Sequence, residues 1–320
     1  MQALVIDHGI RLDNDHPLPK RQAGEVLIQT TLAGICATDL ALLQGYAHFQ
    51  GVPGHEFVGV VQQADDPSLI GQRVVGEINA PCGTCPTCHR GDGNHCPKRT
   101  ALGIRGRNGT FADYFTLPRA NLHLVPKGVS DQAAVFTEPL AAALEILEQH
   151  PIQSGDSVAV VGDGRLGILI AQVLALTGCQ LTVIGRHPEK WHLLKKKAIP
   201  VTLAHQLPAA FSARVVVECS GRVEGFVQAR KWVQPRGYLI VKSTYTQQPP
   251  VDLTALVVDE VTLVGSRCGP FSKALALLEQ GLIEVEPLIE REFSLDEGVL
   301  AFQMAQEKGR LKVLLRPRRF

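Results

Sequence analysis

The hydrophobic positions of the first 125 residues alternate with polar ones or cluster in short runs. Gly, Pro and Asp residues separate these runs, which is typical of β-strands joined by turns. The pattern predicts a β-rich region that forms a partly open barrel or a rolled sheet. The predicted strands include Ala3–Ile6, Val26–Ile28, Phe57–Val61, Arg73–Val75 and Phe111–Phe115.

The periodicity changes after Glu138. Residues 140–147 have helical spacing, and from Ser157 onward apolar strands alternate with helices that have one apolar face. This alternation indicates a parallel α/β sheet. Pro151 and Gly155 interrupt the pattern, so we place the boundary between two regions at residues 138–155. The predicted elements are strands at 158–161, 181–184, 215–218, 238–241 and 261–264, and a helix at 168–176.

The composition is that of an ordinary globular protein. The chain has 320 residues, 45% of them hydrophobic and 20% charged, and a net charge of +1. It is therefore long enough for two domains, and its charge gives no reason to expect a nucleic-acid partner. We find no secretory leader and no apolar window of about 18 residues. These features predict a cytoplasmic protein without a membrane segment, in which the eight cysteines are thiols, metal ligands or core residues.

Cys36, His55 and Glu56 place a thiol, an imidazole and a carboxylate at the two ends of a short loop. Such groups, with one coordination position left open, are the ligands of a catalytic zinc ion. The cluster alone is weak evidence. A buried apolar cysteine and a hydrogen-bonded core histidine explain it at least as well.

A second group of cysteines lies in residues 82–96, three at intervals of three residues and a fourth eight positions later. The glycines between them permit the tight backbone that a thiolate cage requires. Four thiolates leave no open coordination position, so we predict a structural zinc ion. An iron–sulfur cluster uses the same donors, and a zinc ribbon that docks on nucleic acid is an alternative that the balanced charge disfavours. The predicted ligands are Cys82, Cys85, Cys88 and Cys96.

A glycine motif, Gly162-Asp163-Gly164-Arg165-Leu166-Gly167, stands between a predicted strand and a predicted helix. In this context the motif indicates a dinucleotide-binding site. The first glycine permits the turn, the second lets the pyrophosphate approach the backbone, and the third permits close helix–strand packing. The helix N-terminus then faces the phosphates. The predicted cofactor-binding residues of the motif are Gly162, Gly164, Arg165, Leu166 and Gly167.

The end of the second predicted strand bears on the choice of cofactor. An NAD site carries an acidic residue about 20 positions after the motif, where it holds the ribose hydroxyls. This chain has Gly185 there, followed by Arg186. Loss of the carboxylate and gain of a guanidinium favour a 2′-phosphate, so we predict NADP. The alternative is that Arg186 stacks on adenine and that NAD is held by other contacts.

The motif Cys36-x-Thr38-Asp39, then Gly54-His55-Glu56, the four cysteines and the glycine motif resemble, in this order, the zinc-dependent medium-chain alcohol and polyol dehydrogenases. The resemblance covers nearly the whole chain. It implies an α/β fold with a GroES-like, partly open β-barrel catalytic domain at residues 1–140 and 268–320. It also implies a doubly wound, parallel-sheet Rossmann domain at 141–267, an active site in the interdomain cleft, a last strand at 312–315, and a homodimer or homotetramer. Asp65 departs from the small residue usual at that position.

The resemblance assigns residues to the catalytic zinc. Cys36 and His55 would be direct ligands, and Asp39 would orient the His55 ring, with a turn-capping aspartate as the alternative. Glu138, in a Glu-Pro-Leu sequence, resembles the carboxylate that polyol-type enzymes bring to zinc directly or through water. Glu56 would exchange with that water. The alternative for Glu138 is a glutamate that caps a helix.

The resemblance also implies a proton path and further cofactor contacts. Thr38 would accept a hydrogen bond from the zinc-bound alcohol and pass on its proton. The histidine that usually ends this path is Ala41 here, so the path is shorter, ends in solvent, or is completed by His48. Lys242 and Arg267 would lie near the nicotinamide.

The sequence therefore predicts a zinc-dependent oxidoreductase with two zinc ions per chain. It would transfer hydride between an alcohol or polyol, or the carbonyl product, and NADP, with NAD as the alternative cofactor. The rival predictions are a non-catalytic or ligand-sensing relative that keeps only the structural zinc, and a zinc-independent enzyme similar to quinone reductases. The residue types do not indicate which alcohol is the substrate.

Overall fold

The structure, a computed structural model, describes residues 1–245 and 247–318. It divides into two compact units, one made of Met1–Glu138 with the chain from Phe271 onward, the other of Pro139–Pro270. Within the described residues, no helix combines the length and the apolar character needed to cross a bilayer.

The chain from residue 1 to residue 149 is dominated by short strands. Its helices are α1 (Ala37–Leu43), α2 (Pro86–His89), α3 (Asp131–Ala134) and α4 (Thr137–Gln149), and a 3₁₀ turn covers Tyr46–His48. Its strands are β1 (Ala3–Ile6), β2 (Ile10–Asp13), β3 (Glu25–Gly34), β4 (Glu56–Gln63), β5 (Arg73–Gly76), β6 (Asn79–Ala80), β7 (Thr100–Ala101), β8 (Tyr114–Pro118) and β9 (Leu122–Leu124).

The middle segment forms a six-stranded sheet in which every neighbouring pair is parallel. The strand order is β12-β11-β10-β13-β14-β15, so the winding direction reverses beside β10. This sheet is the predicted doubly wound unit. Its strands are β10 (Ser157–Val161), β11 (Gln180–Gly185), β12 (Val201–Leu203), β13 (Ala213–Glu218), β14 (Val233–Val241) and β15 (Thr262–Gly265), and its helices are α5 (Arg165–Ala175), α6 (His192–Lys196), α7 (Val223–Trp232) and α8 (Leu253–Val258).

The last segment returns to the first unit and completes its sheet. It contains α9 (Phe271–Glu279), β16 (Ile289–Ser294), α10 (Gly298–Gln306) and β17 (Lys312–Arg316). The sheet order is β16-β17-β3-β4-β5-β9, with β8 also paired to β3. Gly34 at the end of β3 pairs with Glu56 of β4 on one side and with Leu314 of β17 on the other. Residues far apart in sequence are thus neighbours at this end of the sheet.

The strand predicted at residues 111–115 begins later in the structure, although its first residues lie in the aromatic core of the first unit. Phe57 and Phe115 pack edge to face with ring centroids 4.7 Å apart, and Phe111 is also fully buried. Yet β8 begins at Tyr114 and not at Phe111. The backbone amide of Phe111 donates to Pro53 and that of Asp113 to Gln2. Because these groups bond to other segments, residues 111–113 are buried without joining the ladder.

Candidate active site and metal centres

The structure brings Cys36, His55 and Glu56 together. One ligand atom from each lies within 4.8 Å of the other two. A thiolate, an imidazole and a carboxylate suit a borderline-soft ion, and zinc lies about 2.0–2.3 Å from such atoms. The three groups therefore fit one zinc ion with small side-chain adjustments.

Local backbone geometry places these ligands. Cys36 follows β3 and precedes α1, while His55 precedes the first residue of β4. Gly54 has φ +99°, and a Cβ there would lie 2.5 Å from the Phe111 ring. Only glycine therefore fits at the turn that directs His55 into the site.

Asp39 joins the segments that carry Cys36 and His55, and its predicted role in orienting the His55 ring stays a prediction. Its Oδ2 accepts a 2.8 Å hydrogen bond from the Cys36 amide, and its Oδ1 accepts a 3.1 Å bond from the Gly54 amide. The same Oδ1 is 3.3 Å from His55 Nδ1, which leaves Nε2 as the nitrogen that can face a metal. Burial alone would lower the pKa of His55, but the Asp39 carboxylate raises it well above its ordinary value.

The other residues predicted for this site are not part of the close group of Cys36, His55 and Glu56. Thr38 Oγ1 lies 3.8 Å from Cys36 Sγ, beside the candidate metal group. His48 is exposed on the 3₁₀ turn, where its φ is +48°. Glu138 is half-buried in the first turn of α4, and within the described residues it does not belong to the close ligand group. The roles of His48 and Glu138 stay predictions.

Lys312 is a residue of this site that the sequence did not reveal. Its ammonium forms an ion pair with Glu56 Oε2, and the two side chains are only 3% and 1% exposed. Lys312 Nζ also lies 5.7 Å from the centre of the Phe136 ring. A Cβ at Gly34 would be 2.6 Å from Glu56 Oε2, so glycine leaves room for the pair. The one available signal was a lysine directly before the apolar run of residues 313–315.

The four cysteines form a second candidate metal centre. Their Sγ atoms are 3.5–3.9 Å apart along the four measured contacts. A tetrahedral ion with zinc–sulfur bonds of about 2.3 Å sets its sulfurs about 3.8 Å apart. Disulfide bonds would bring sulfurs to about 2.0 Å, and all four thiols are free. The cage therefore has the size that one tetrahedral ion requires.

The thiols of the cage differ in acidity. Hydrogen bonds from the backbone and hydroxyl of Thr84 lower the pKa of Cys82 to about 6. Desolvation and neighbouring thiols raise the pKa of Cys88 to about 11. Since metals bind thiolates, an ion in this cage would have to displace protons.

The glycine motif has the shape of a dinucleotide cradle. Gly162 has φ +128°, and a Cβ at Gly167 would collide with the Gly162 carbonyl. A Cβ at Gly164 would meet nothing within 4 Å, so the backbone there is open to a ligand. Gly164 also precedes α5 without capping it by a side chain. Pyrophosphate thus has both space and backbone N–H donors at this point.

The end of β11 has an acidic neighbour that its own sequence does not show. Gly185 is buried and Arg186 is exposed, as expected for a side chain that meets a ligand. However, the carboxylate of Asp163, from within the glycine motif, lies against both residues. In the sequence, Asp163 is only a variable position of the glycine motif.

Lys242 and Arg267 lie in the loops that follow β14 and β15. Lys242 Nζ donates to the Ala142 carbonyl at 2.6 Å, to Ser266 Oγ at 3.0 Å and to the Arg267 carbonyl at 3.2 Å. These contacts tie the two loops to α4. A direct contact of Lys242 or Arg267 with a cofactor stays a prediction.

The chain is similar to known dehydrogenases along almost its whole length. Residues 22–127 match the family model described as the alcohol dehydrogenase GroES-like domain. An erythritol/L-threitol dehydrogenase from Mycolicibacterium smegmatis is 30% identical over 354 residues, which cover 99% of this chain and 98% of that protein.

Two crystal structures have the same fold. A protein assigned as a zinc-binding dehydrogenase from Sinorhizobium meliloti 1021, bound to NADP, is 27% identical with a TM-score of 0.89. A protein named as a short chain alcohol dehydrogenase from E. coli CFT073, complexed with NADH, is 25% identical with a TM-score of 0.89. In both comparisons 99% of each chain is covered. The predicted fold class is confirmed.

Proposed function

Because this chain belongs to the zinc-type medium-chain dehydrogenase family, we propose that it is an NAD(P)-dependent dehydrogenase of alcohols or polyols. Cys36, His55 and a carboxylate would hold a catalytic zinc ion. The four-cysteine cage would hold a second, structural zinc ion.

The observation that carries this proposal is the convergence of Cys36, His55 and Glu56 on one point from two separate loops. A structural relative without turnover would have no need to keep a mixed thiolate, imidazole and carboxylate group beside a threonine hydroxyl. Three protein ligands and an open fourth position distinguish such a group from the closed cage of four cysteines.

The chain's own residues would bind, orient and move protons. Bound zinc supplies Lewis acidity toward an alcohol oxygen, and bound nicotinamide supplies the hydride acceptor. Asp39 holds the Cys36 and Gly54 backbones, and its carboxylate lies 3.3 Å from His55 Nδ1, where it would favour a hydrogen on that nitrogen. Thr38 Oγ1, 3.8 Å from Cys36 Sγ, is near enough to the metal group to accept a hydrogen bond from a substrate hydroxyl, and it would relay the proton by giving its own hydroxyl hydrogen to solvent as it receives the substrate's. Lys312 holds Glu56 in place by the buried ion pair.

We assign NADP as the preferred cofactor. The support is the exposed guanidinium of Arg186 directly after β11, together with the lack of a side chain at Gly185. The similar structures bind NADP in one case and NADH in the other, so they do not decide this point.

A polyol is the substrate class to test first, since the similar enzyme from M. smegmatis is an erythritol/L-threitol dehydrogenase.

The proposal includes a homodimer or homotetramer. Its support is the position of β15 at the edge of the sheet that the described residues form, together with exposed apolar side chains on α8, namely Leu253, Val257 and Val258. Unpaired strand edges and apolar patches of this kind favour association.

The test combines metal content with turnover. We expect two zinc equivalents per purified chain by mass spectrometry of the metals, and reduction of NADP or NAD with one or more members of a panel of alcohols and polyols. Cys36→Ser should retain one zinc equivalent and lose turnover. Cys179→Ser, which removes a thiol outside both ligand groups, is the matched control and should keep both metals and activity.

The proposal fails if the wild-type chain binds one zinc ion, in the cage alone, and oxidises no alcohol with either cofactor. It also fails if Cys36→Ser turns over substrate as fast as Cys179→Ser, because the metal group would then have no catalytic role.

A further inference from the structure

The carboxylate of Asp163 is contacted by four nitrogen atoms of the protein. Its Oδ2 accepts from the amides of Arg186 and His187 at 2.8 and 2.7 Å and from Trp191 Nε1 at 2.9 Å. Its Oδ1 is 2.9 Å from His187 Nδ1. Each carboxylate oxygen offers about two acceptor positions, so Oδ2 has none left for a ligand and Oδ1 already has one of its positions occupied.

The same carboxylate explains why residue 185 is glycine. A Cβ at Gly185 would lie 2.6 Å from Asp163 Cγ and 2.7 Å from Asp163 Cβ. An acidic side chain at position 185 is therefore sterically excluded while Asp163 is in place. A carboxylate is therefore still present at the end of β11, but it comes from the glycine motif and accepts hydrogen bonds from the protein.

The charge of Asp163 is offset locally. The residue is 4% exposed, and burial by itself would raise its pKa. Hydrogen bonds from His187, Trp191 and the two backbone amides nevertheless lower the pKa to about 2. Since the acid is ionised and can only accept, His187 Nδ1 carries the hydrogen in this contact.

We propose that Asp163 is a positioning residue for the adenosine ribose, which fixes the turn of residues 185–187 so that Arg186 binds the 2′-phosphate of NADP. The inference rests on the proposed function for the choice of cofactor. It adds the device that builds the phosphate site, namely an inward-facing carboxylate that replaces the ribose-binding acid of an NAD site. The backbone amides of Arg186 and His187, which flank the Arg186 Cα, are both held by the Asp163 side chain, so the Arg186 side chain starts from a fixed Cα.

The experiment measures dissociation constants of NADP and NAD by isothermal titration with the zinc-loaded, full-length protein. The variants are Asp163→Asn, Arg186→Ala, the double variant and, as a milder change, Trp191→Phe, which removes one donor and leaves the carboxylate. Asp156→Asn is the matched control, because Asp156 precedes the opposite end of β10 and also accepts hydrogen bonds. Thermal unfolding of each variant shows whether it is folded.

The ratio of the NADP and NAD dissociation constants of the wild-type protein tests the proposed function, and the variants test the role of Asp163. We expect tighter binding of NADP than of NAD, and in Asp163→Asn a loss of about tenfold in NADP affinity, as for hydrogen bonds to a charged group. NAD affinity should change little. With Arg186→Ala present, Asp163→Asn should have no further effect on NADP, and Trp191→Phe should give a smaller loss of the same kind.

Two results would overturn the role of Asp163. Equal weakening of both cofactors, with no coupling to Arg186, would mean that the carboxylate only stabilises the fold. Tighter NADP binding by Asp163→Asn would mean that its charge repels the phosphate. A wild-type preference for NAD would instead refute the NADP assignment of the proposed function, and it would do so before any variant is measured.

Discussion

Replacement of Lys312 by methionine tests the electrostatics of the candidate active site. Methionine keeps much of the apolar stem but removes the ammonium that pairs with Glu56 Oε2. Both side chains are buried, and Lys312 approaches the Phe136 ring, so water cannot easily replace the lost charge. Removing one partner of a buried ion pair typically costs about 3–5 kcal/mol, because the other charge stays buried.

The magnitude converts to a measurable shift. For a unit of about 150–250 residues, 1 kcal/mol corresponds to about 2–4 °C in the unfolding midpoint. We therefore expect Lys312→Met to lower the midpoint of the zinc-depleted protein by about 10 °C. Bound zinc would supply positive charge next to Glu56, so the loss should be smaller in the zinc-saturated protein.

The assay is thermal unfolding with and without zinc, in a double-mutant cycle. Glu56→Gln in the Lys312→Met background removes the uncompensated carboxylate and should recover part of the loss. Lys308→Met, the same change at an exposed position, should be nearly silent. If Lys312→Met shifts the midpoint no more than Lys308→Met, or if the two site substitutions add without coupling, the pair does not hold Glu56 as we infer.

Three further changes are predicted. Gly34→Ala should lower the free energy of unfolding, measured in urea, by about 1–3 kcal/mol, because the added Cβ would clash with Glu56. Gly128→Ala, where a Cβ meets nothing within 4 Å, is the control and should leave it unchanged. Cys96→Ser should lose one zinc equivalent and speed tryptic cleavage after the exposed Arg90, and unchanged cleavage would contradict a structural role of the cage. Burial raises the pKa of Asp113, so the folded chain binds its proton more tightly, and the contribution of this group to stability falls as pH rises above 3.8. Asp113→Asn should flatten that slope in urea titrations at successive pH values, and an unaltered slope would show that other groups cause it.

The sequence was sufficient for elements that depend on local pattern. The apolar run of β10, the glycine motif and α5 follow one another within twenty residues, and their spacing alone predicts a parallel unit. The four cysteines are likewise close in sequence, so their common cage needed no knowledge of the fold. Strand β8 was misplaced at its start because residues 111–113 bond to β1 and to the Pro53 loop, and those partners have no local signature.

The features that the sequence did not reveal are long-range charge contacts. Glu56 and Lys312 are 256 positions apart and meet only because β4 and β17 flank β3. Asp163 and His187 are 24 positions apart and meet because β10 and β11 are neighbours in the sheet. Local hydrophobic pattern fixes which strands form, but only the strand order determines which charges are brought together.

In both cases a glycine on the neighbouring strand accommodates the buried carboxylate. A Cβ at Gly34 would be 2.6 Å from Glu56 Oε2, and a Cβ at Gly185 would be 2.6 Å from Asp163 Cγ. Neither glycine has a positive φ, so backbone conformation does not require it. The space is needed because a buried carboxylate must keep its donors. Lys312 of β17 reaches Glu56 past Gly34, and the turn after Gly185 supplies backbone donors to Asp163. The glycines at positions 34 and 185 are therefore explained by the charged side chains opposite them, whereas Gly76, also at the end of a buried strand, faces apolar side chains.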